Sequence, residues 1–287
     1  MIREVKRFPL KLKASRLVLE LAIYLLIAAG AILMALPFVW TALSSLKEPD
    51  EILALPPTWI PENPFYLKNY AEVLERFPFG RWFLNSSIVS IASVILSLLT
   101  CSMAGYAFAK FDFPAKEITF FAVLGILMIP FEAIMIPLYL LFSSLGLGNT
   151  YLGVLGPNIS SAFGVFLMRQ FMENLPNEYI DSARIDGSSE FRIYWNIILP
   201  NSRPALATLA IIKFIWCWNE FTWPLIIVDK PDMMTVPLGL SLFSGFHFVA
   251  YHLIVAAATL SILPMLIVFI FLQRYIIKGM IMSGLKA

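Results

Sequence analysis

The sequence predicts an all-α polytopic membrane protein with six transmembrane helices, and three observations carry that prediction. Of its 287 residues, 59% are apolar and 14% charged, whereas an ordinary soluble domain is roughly 25% charged. Mean hydropathy is +0.79, more apolar mass than a single core can hide. That mass lies in blocks, and about 20 apolar residues is the length of helix that a bilayer requires.

The first span falls in the 26 uncharged residues from Leu21 to Leu46, a run too long for the apolar part of a cleaved signal peptide. A second falls in the 28 uncharged residues from Trp82 to Ala109. Between Ile118 and Met168 only Glu132 is charged, and 51 residues are too many for one crossing. The string Ser143 to Thr150, with Gly146, Gly148 and Asn149, supplies turn chemistry that divides this stretch into spans three and four. Span five is expected from about Ala205 to Val228 and carries Lys213 and Glu220. The first third of the uncharged stretch from Met233 to Gln273, with Pro237, Gly239, Ser241, Ser244, Gly245 and His247, reads as loop. Span six is therefore expected at Tyr251 to Gln273.

Orientation follows from the basic residues. With the N-terminus inside, the inner segments hold 15 Lys or Arg and the outer ones 5, with Lys213 left in a span. By the positive-inside rule this places both termini in the cytosol. Residues 1–80 then form a cytosolic tail, a first span and a Pro-rich extracytoplasmic segment with a short helical pattern from Tyr66 to Glu75. Residues 81–287 form the core, with a cytosolic loop at 169–203. The net charge of +2 gives no basis for nucleic-acid binding. Cys101 and Cys217 both lie inside apolar blocks, which argues against a disulfide framework or a zinc site.

The 169–203 loop is the most informative stretch. Pro176-Asn177-Glu178 starts a helix with acid in its first turn, and Gly187 ends it where a left-handed residue is wanted. Ser188 or Ser189 caps a second helix, Glu190 suits its N-terminus, and Pro200 is expected to stop it. The first helix carries Ile180, Ala183 and Ile185 beside Asp181, Arg184 and Asp186; the second carries Phe191, Tyr194, Trp195 and Ile198. A connecting loop has no need of so many apolar side chains facing water. They serve either as a docking surface for another protein or as packing on the ends of the chain's own helices.

Asp181-Ser182-Ala183, three residues, Gly187, nine residues, then Ile197-Ile198-Leu199-Pro200 resembles the EAA loop of binding-protein-dependent ABC importer permeases. Asp181 stands where that motif has Glu and Ser182 where it has its first Ala; the charge is kept on a side chain one methylene shorter. The resemblance covers about residues 10 to 287. Pro56-Pro57-Thr58-Trp59-Ile60-Pro61, Asn69-Tyr70, Asn85-Ser86, Ala104-Gly105-Tyr106-Ala107-Phe108-Ala109, Ile136-Pro137-Leu138-Tyr139 and Trp218-Asn219-Glu220-Phe221 are similar to the carbohydrate-uptake branch, with its smaller six-span permease of maltose-like systems. The resemblance implies the type I ABC importer permease architecture. It implies a second homologous permease subunit, two cytosolic ATPase subunits and an extracytoplasmic sugar-binding protein as partners. It also implies an ATPase-coupling role for Asp181, Ser182, Ala183, Asp186, Gly187, Ile197, Leu199 and Pro200. The chain has no phosphate-binding G-x-x-x-x-G-K-[ST] loop, so it is expected to be a transport subunit with no cofactor and no catalytic residue of its own, ATP being hydrolysed on other chains.

A translocation path is sought among polar residues in the spans. Lys213, Trp216, Asn219, Glu220 and Trp223 fall within an arc of about 120° if span five is one continuous helix. Charge in a span costs at least ~2.5 kcal/mol at a helix centre, so such groups turn toward a bundle interior or water. Flat rings beside amide and carboxylate groups suit a carbohydrate, while bracing of a neighbouring helix explains Asn219 and Glu220 equally well. The resemblance implies a lining or gating role for Asn219 and Glu220, and Trp216 and Glu132 are taken as substrate-path candidates beside them. Glu132, between Pro130 and Pro137, marks either an interrupted helix facing a cavity or an internal ion pair. Ser86, Ser90, Ser93, Ser97 and Thr100 share one face of span two and fit a packing seam better than a pore wall. The rival function is a secondary carrier driven by an ion gradient through Glu132, Lys213 and Glu220.

Overall fold

A computed structural model describes residues 10–243 and 249–284. Helix α1 (Leu10–Ser44) leads through α2 (Pro49–Ile52) and α3 (Lys68–Arg76) to α4 (Phe79–Lys110). Next come α5 (Lys116–Gly125), α6 (Phe131–Ser144), α7 (Tyr151–Leu155) and α8 (Ala162–Glu173). The loop after α8 holds α9 (Glu178–Ile185), α10 (Glu190–Ile193), a π-helical turn at Tyr194–Ile198 and α11 (Leu199–Asn201). The remainder is α12 (Arg203–Trp218), α13 (Thr222–Ile227), α14 (Val236–Leu240) and α15 (Tyr251–Gly284).

Three stretches are long and apolar enough to cross a bilayer unaided: Arg16–Ser44, Phe79–Lys110 and Tyr251–Gln273. Two bent pairs are long and apolar enough when taken together, Lys116–Met128 with Phe131–Ser144 at 98° and Tyr151–Asn158 with Ala162–Glu173 at 47°, which brings the candidate spans to as many as five. The first break falls at Ile129-Pro130, beside Glu132, where the flanking prolines point to interruption. The expected fifth span is not one helix. α12 stops at Trp218 and α13 begins at Thr222. Pro224 accounts for this, because its ring collides with the carbonyl four residues back, that of Glu220, and it has no N–H to donate there.

At its centre α4 packs against α8 and α12. Ser90, Ser93 and Ser97 are buried along this helix and Ser86 is buried against Val236 at the start of α14, so the serine stripe is a packing seam. Gly105 and Gly164 set the closest approaches: a Cβ on Gly105 would lie 2.5 Å from Met168 Cβ, and one on Gly164 2.6 Å from Cys101 Sγ. Cys101 and Cys217 are buried free thiols. α1 differs from this core, since most of its apolar side chains are exposed, from Leu17 through Val39, and only its end packs inward, where Trp40 meets Trp59.

Beyond α1, residues 45–76 fold back on themselves. Buried Asn69 donates from Nδ2 to the carbonyls of Ser45 (2.9 Å) and Lys47 (2.8 Å), while the Lys47 ammonium donates to Thr58 O and rests over Trp40. The helical pattern expected from Tyr66 appears as α3. The stretch expected as loop after Met233 instead forms α14 and a 3₁₀ turn at Ser241–Phe243, because Val236, Leu238 and Phe243 bury their side chains against the bundle. Ser244, Gly245 and His247 lie outside the described residues, as do residues 1–9 and 285–287.

Candidate functional site

The 169–203 loop is a built element whose geometry begins with its turn. α9 ends in a C-cap at Asp186 followed by Gly187 at φ +78°. Ser188 N–H donates to Ala183 O at 2.9 Å and Gly187 N–H to Arg184 O at 3.0 Å, the paired bonds of a Schellman turn. No atom lies within 4 Å of where a Gly187 Cβ would stand, so glycine is required for its backbone angle and not for space. Ser189 then caps α10, its Oγ accepting from Arg192 N–H at 3.4 Å.

A polar cluster fastens this turn. Arg184 Nε donates to Glu190 Oε1 at 2.6 Å, and its guanidinium lies 3.4 Å from Asp181 Oδ1. Tyr106 on α4 donates from its hydroxyl to Glu190 Oε2 at 3.0 Å. The Arg184 hydrogen bond holds the Glu190 carboxyl below its ordinary pKa; partial burial opposes this and the Tyr106 bond adds to it. Glu190 in turn raises the pKa of Arg184. Two further contacts bind the loop to α4: the hydroxyls of Ser102 and Tyr194 lie 2.6 Å apart, and Lys110 Nζ donates to Leu175 O at 2.6 Å and Asn177 Oδ1 at 2.7 Å. Lys110 thus sits just beyond the C-terminus of α8, where unpaired carbonyls favour a cation.

The apolar residues of the loop divide between two faces. Ile180, Ala183, Tyr194 and Ile198 are buried against the chain's own bundle, which corrects their expected exposure to water. The reason is periodicity: Ile180 and Ala183 sit three apart on one face, while Tyr179, Ser182 and Ile185 sit three apart on another, so one short helix cannot present them all to the same surroundings. Ile185 (87%), Phe191 (63%), Tyr179 (57%) and Trp195 (41%) stay exposed, forming an apolar crest beside the exposed Asp181, Ser182 and Asp186. Ile197, Leu199 and Pro200 are half-buried, and Ile197 and Leu199 pack on the core beneath. Pro200 does not stop the helix as expected. The π turn puts a Leu199 N–H to Tyr194 O bond ahead of it, and this wider turn lets the helix pass a residue that has no N–H to give.

The candidate path residues are less united. Trp216 is exposed and packs on Phe163, with ring centroids 5.6 Å apart. Asn219 caps α12 and donates from Nδ2 to Ile215 O at 2.9 Å; Glu220 Oε1 accepts from Trp223 N–H at 3.1 Å. Lys213 is 4% exposed, with Nζ 3.4 Å from Asn158 Oδ1. The single polar arc expected for span five does not form. The break after Trp218 turns Trp223 into the core, where its Nε1 donates to Gly153 O and its ring meets Phe131 and Phe142. Glu132 lies exposed in the first turn of α6, just after the break at Ile129-Pro130, and makes no ion pair among the described residues. Tyr106, Lys110 and Ser102 went unassigned in the sequence. The one available signal is their spacing of four, which sets all three on one face of span two.

Residues 97–282 match the family described as binding-protein-dependent transport system inner membrane component. The chain is 44% identical over 205 residues to the arabinooligosaccharides transport system permease protein AraQ of Halalkalibacterium halodurans, covering 71% of this chain and 74% of that protein. It is 34% identical over 276 residues to AraQ of Bacillus subtilis, covering 94% and 96%. The crystal structure of a bacterial ABC transporter involved in the import of the acidic polysaccharide alginate shares the fold, with a TM-score of 0.79 at 21% identity over 95% of this chain and 100% of that one. The chain belongs to the binding-protein-dependent transport system inner membrane component family. It is a multi-pass permease subunit of an ABC importer, as its relatives are transport permeases, and the ion-gradient carrier is not favoured.

Proposed function

We propose that this permease subunit carries carbohydrate inward through six crossings, the fifth being the broken pair α12 and α13, with both termini in the cytosol. A second homologous permease completes the path and covers the outward apolar face of α1. Two cytosolic ATPase subunits sit below, and an extracytoplasmic sugar-binding protein docks above. The oligosaccharide named in the AraQ relatives and the alginate of the fold neighbour support carbohydrate as the substrate class.

The observation that carries the coupling assignment is the division of the loop into two faces. Ile180, Ala183, Tyr194 and Ile198 root it in the bundle, while Tyr179, Ile185, Phe191 and Trp195 stand exposed above Asp181 and Asp186. An apolar crest rimmed by acid suits a groove on another protein, and a rooted base passes on motion because packed contacts do not deform continuously. Asp181, Ser182 and Asp186 meet the ATPase; Ala183 and Gly187 shape the turn; Ile197, Leu199 and Pro200 transmit the load inward. Trp216, Asn219, Glu220 and Glu132 line or gate the path near the helix breaks. A photoreactive side chain placed at Phe191 or Ile185 in the assembled importer tests this: cross-links to the ATPase subunit are expected, and cross-links to lipid alone would overturn the assignment.

A further inference from the structure

α4 is tied at both ends. On the loop side, Ser102, Tyr106 and Lys110, four residues apart and so on one face, bind the loop at Tyr194, Glu190 and Leu175-Asn177. At its other end Trp82 Nε1 donates to Pro231 O at 2.9 Å, and Asn85 Nδ2 donates to Asp232 O at 2.8 Å and Met234 O at 2.9 Å. Ser86 Oγ accepts from Val236 N–H at 2.8 Å. Asn85 is itself held, since its Oδ1 accepts from the Tyr151 hydroxyl at 2.7 Å. The outer cluster bonds to main chain, and the inner one to main chain at Leu175 and to loop side chains, the half-exposed Glu190 carboxylate among them, so each ties α4 to a distant segment.

Between the clusters α4 is a stiff element. It runs 32 residues, about 48 Å at 1.5 Å per residue, with no proline and no break. α1 contains Pro37, α15 contains Pro264, and the α5–α6, α7–α8 and α12–α13 crossings are broken. Among the described residues α4 is therefore the one crossing that can carry a displacement end to end without absorbing it at a kink.

We propose that α4 is a strut linking the 175–198 loop to the 231–236 segment on the opposite side of the membrane, so that occupancy of the outer face and movement of the ATPases are read through this one helix. Tyr106 is a positioning residue at the inner joint and Ser86 and Asn85 are positioning residues at the outer one. The proposal rests on the loop being the ATPase-docking element.

The test uses the complete importer in lipid, with stimulation of ATP hydrolysis by loaded binding protein divided by the unstimulated rate. Tyr106→Phe and Ser86→Ala each remove one hydroxyl with little change of shape, and each is expected to lower that ratio by about fivefold or more, the lower end of ordinary allosteric coupling. Two breaks in one strut act in series, so the double variant is expected to match the worse single variant. Ratios that multiply in the double variant, or no loss in either single, would overturn the strut. Asn85→Ala serves as a second outer variant; a normal ratio in both outer variants overturns it as well. Gly187→Val separates the two ideas: if it too leaves ATPase capture and stimulation intact, the docking assignment fails, whereas loss there with normal Tyr106→Phe and Ser86→Ala removes the strut alone.

Discussion

Tyr106 and Glu190 are 84 positions apart in the chain, yet the tyrosine hydroxyl donates to Glu190 Oε2 at 3.0 Å while Arg184 holds Oε1 at 2.6 Å. One carboxylate thus joins a membrane-crossing helix, the end of α9 and the start of α10. The position of α9 relative to the bundle depends on this junction together with the buried Ile180 and Ala183.

The junction has an acid limit. Glu190 has a depressed pKa in the folded protein, so its contribution is fully present above the unfolded carboxylate value of about 4.3. It is lost as pH falls through the lower folded value. Neutral and mildly acidic conditions are expected to leave the loop unchanged. Amide exchange across 177–199 should accelerate only well below pH 4.3, and Glu190→Gln should remove that acid step while exchanging faster at neutral pH. An unchanged acid step in Glu190→Gln would assign it to another group.

Gly187 sets the angle between α9 and α10. A β-branched residue at φ +78° is strained by ~1–2 kcal/mol, enough to shift the turn without unfolding the spans. Gly187→Val is expected to lose ATPase copurification or stimulated hydrolysis with membrane insertion retained. Gly187→Asn should keep more of both, because Asn visits the left-handed region more readily. Equal behaviour of the two variants would show that side-chain bulk, not backbone angle, matters there.

Much of this loop was legible in the sequence because its signals are local. Gly187, Ser189 and the acidic first turn of α9 each act within a few residues, and all three appear where expected. The faces of its helices were not legible, since burial of Tyr194 depends on Ser102, 92 positions away. Span five shows the converse failure. A rotation of 100° per residue holds only while the helix continues, and Pro224 ends it, so Trp223 turns inward to Gly153 instead of joining Trp216. Of the two prolines around Glu132, Pro130 stands at a helix break while Pro137 is carried inside α6.

The two glycines of α4 are expected to differ sharply. A Cβ at Gly105 would lie 2.5 Å from Met168 Cβ and 2.9 Å from Arg169 N, a backbone atom that cannot step aside, while one at Gly80 meets nothing within 4 Å. Gly105→Ala should destabilise the α4–α8 contact by ~1–3 kcal/mol, the range for overpacking. Gly80→Ala, in the first turn of α4, should be neutral or slightly stabilising, because alanine leaves the unfolded chain less freedom to lose. Thermal unfolding of the two variants in the same detergent measures the difference, and a Gly105→Ala protein as stable as Gly80→Ala would mean that the helices are less closely packed there than described.

Asn219 and Glu220 occupy the break between α12 and α13, and their hydrogen bonds to backbone are local: Asn219 Nδ2 to Ile215 O, and Trp223 N–H to Glu220 Oε1, with Asn219 Nδ2 also 3.3 Å from Met265 Sδ on α15. Such bonds cap helix ends and cost about 1 kcal/mol to remove, too little to prevent assembly. If the pair lines the path, each also offers polar groups to a passing substrate, and that role is lost with the side chain. Asn219→Ala and Glu220→Ala are therefore expected to lower uptake into vesicles severalfold while ATPase copurification stays normal. Glu220→Gln retains an oxygen that can accept from Trp223 N–H but discards the charge, so it separates capping from an electrostatic role in the path. Normal uptake in both alanine variants would reduce these residues to helix caps at a break made by Pro224.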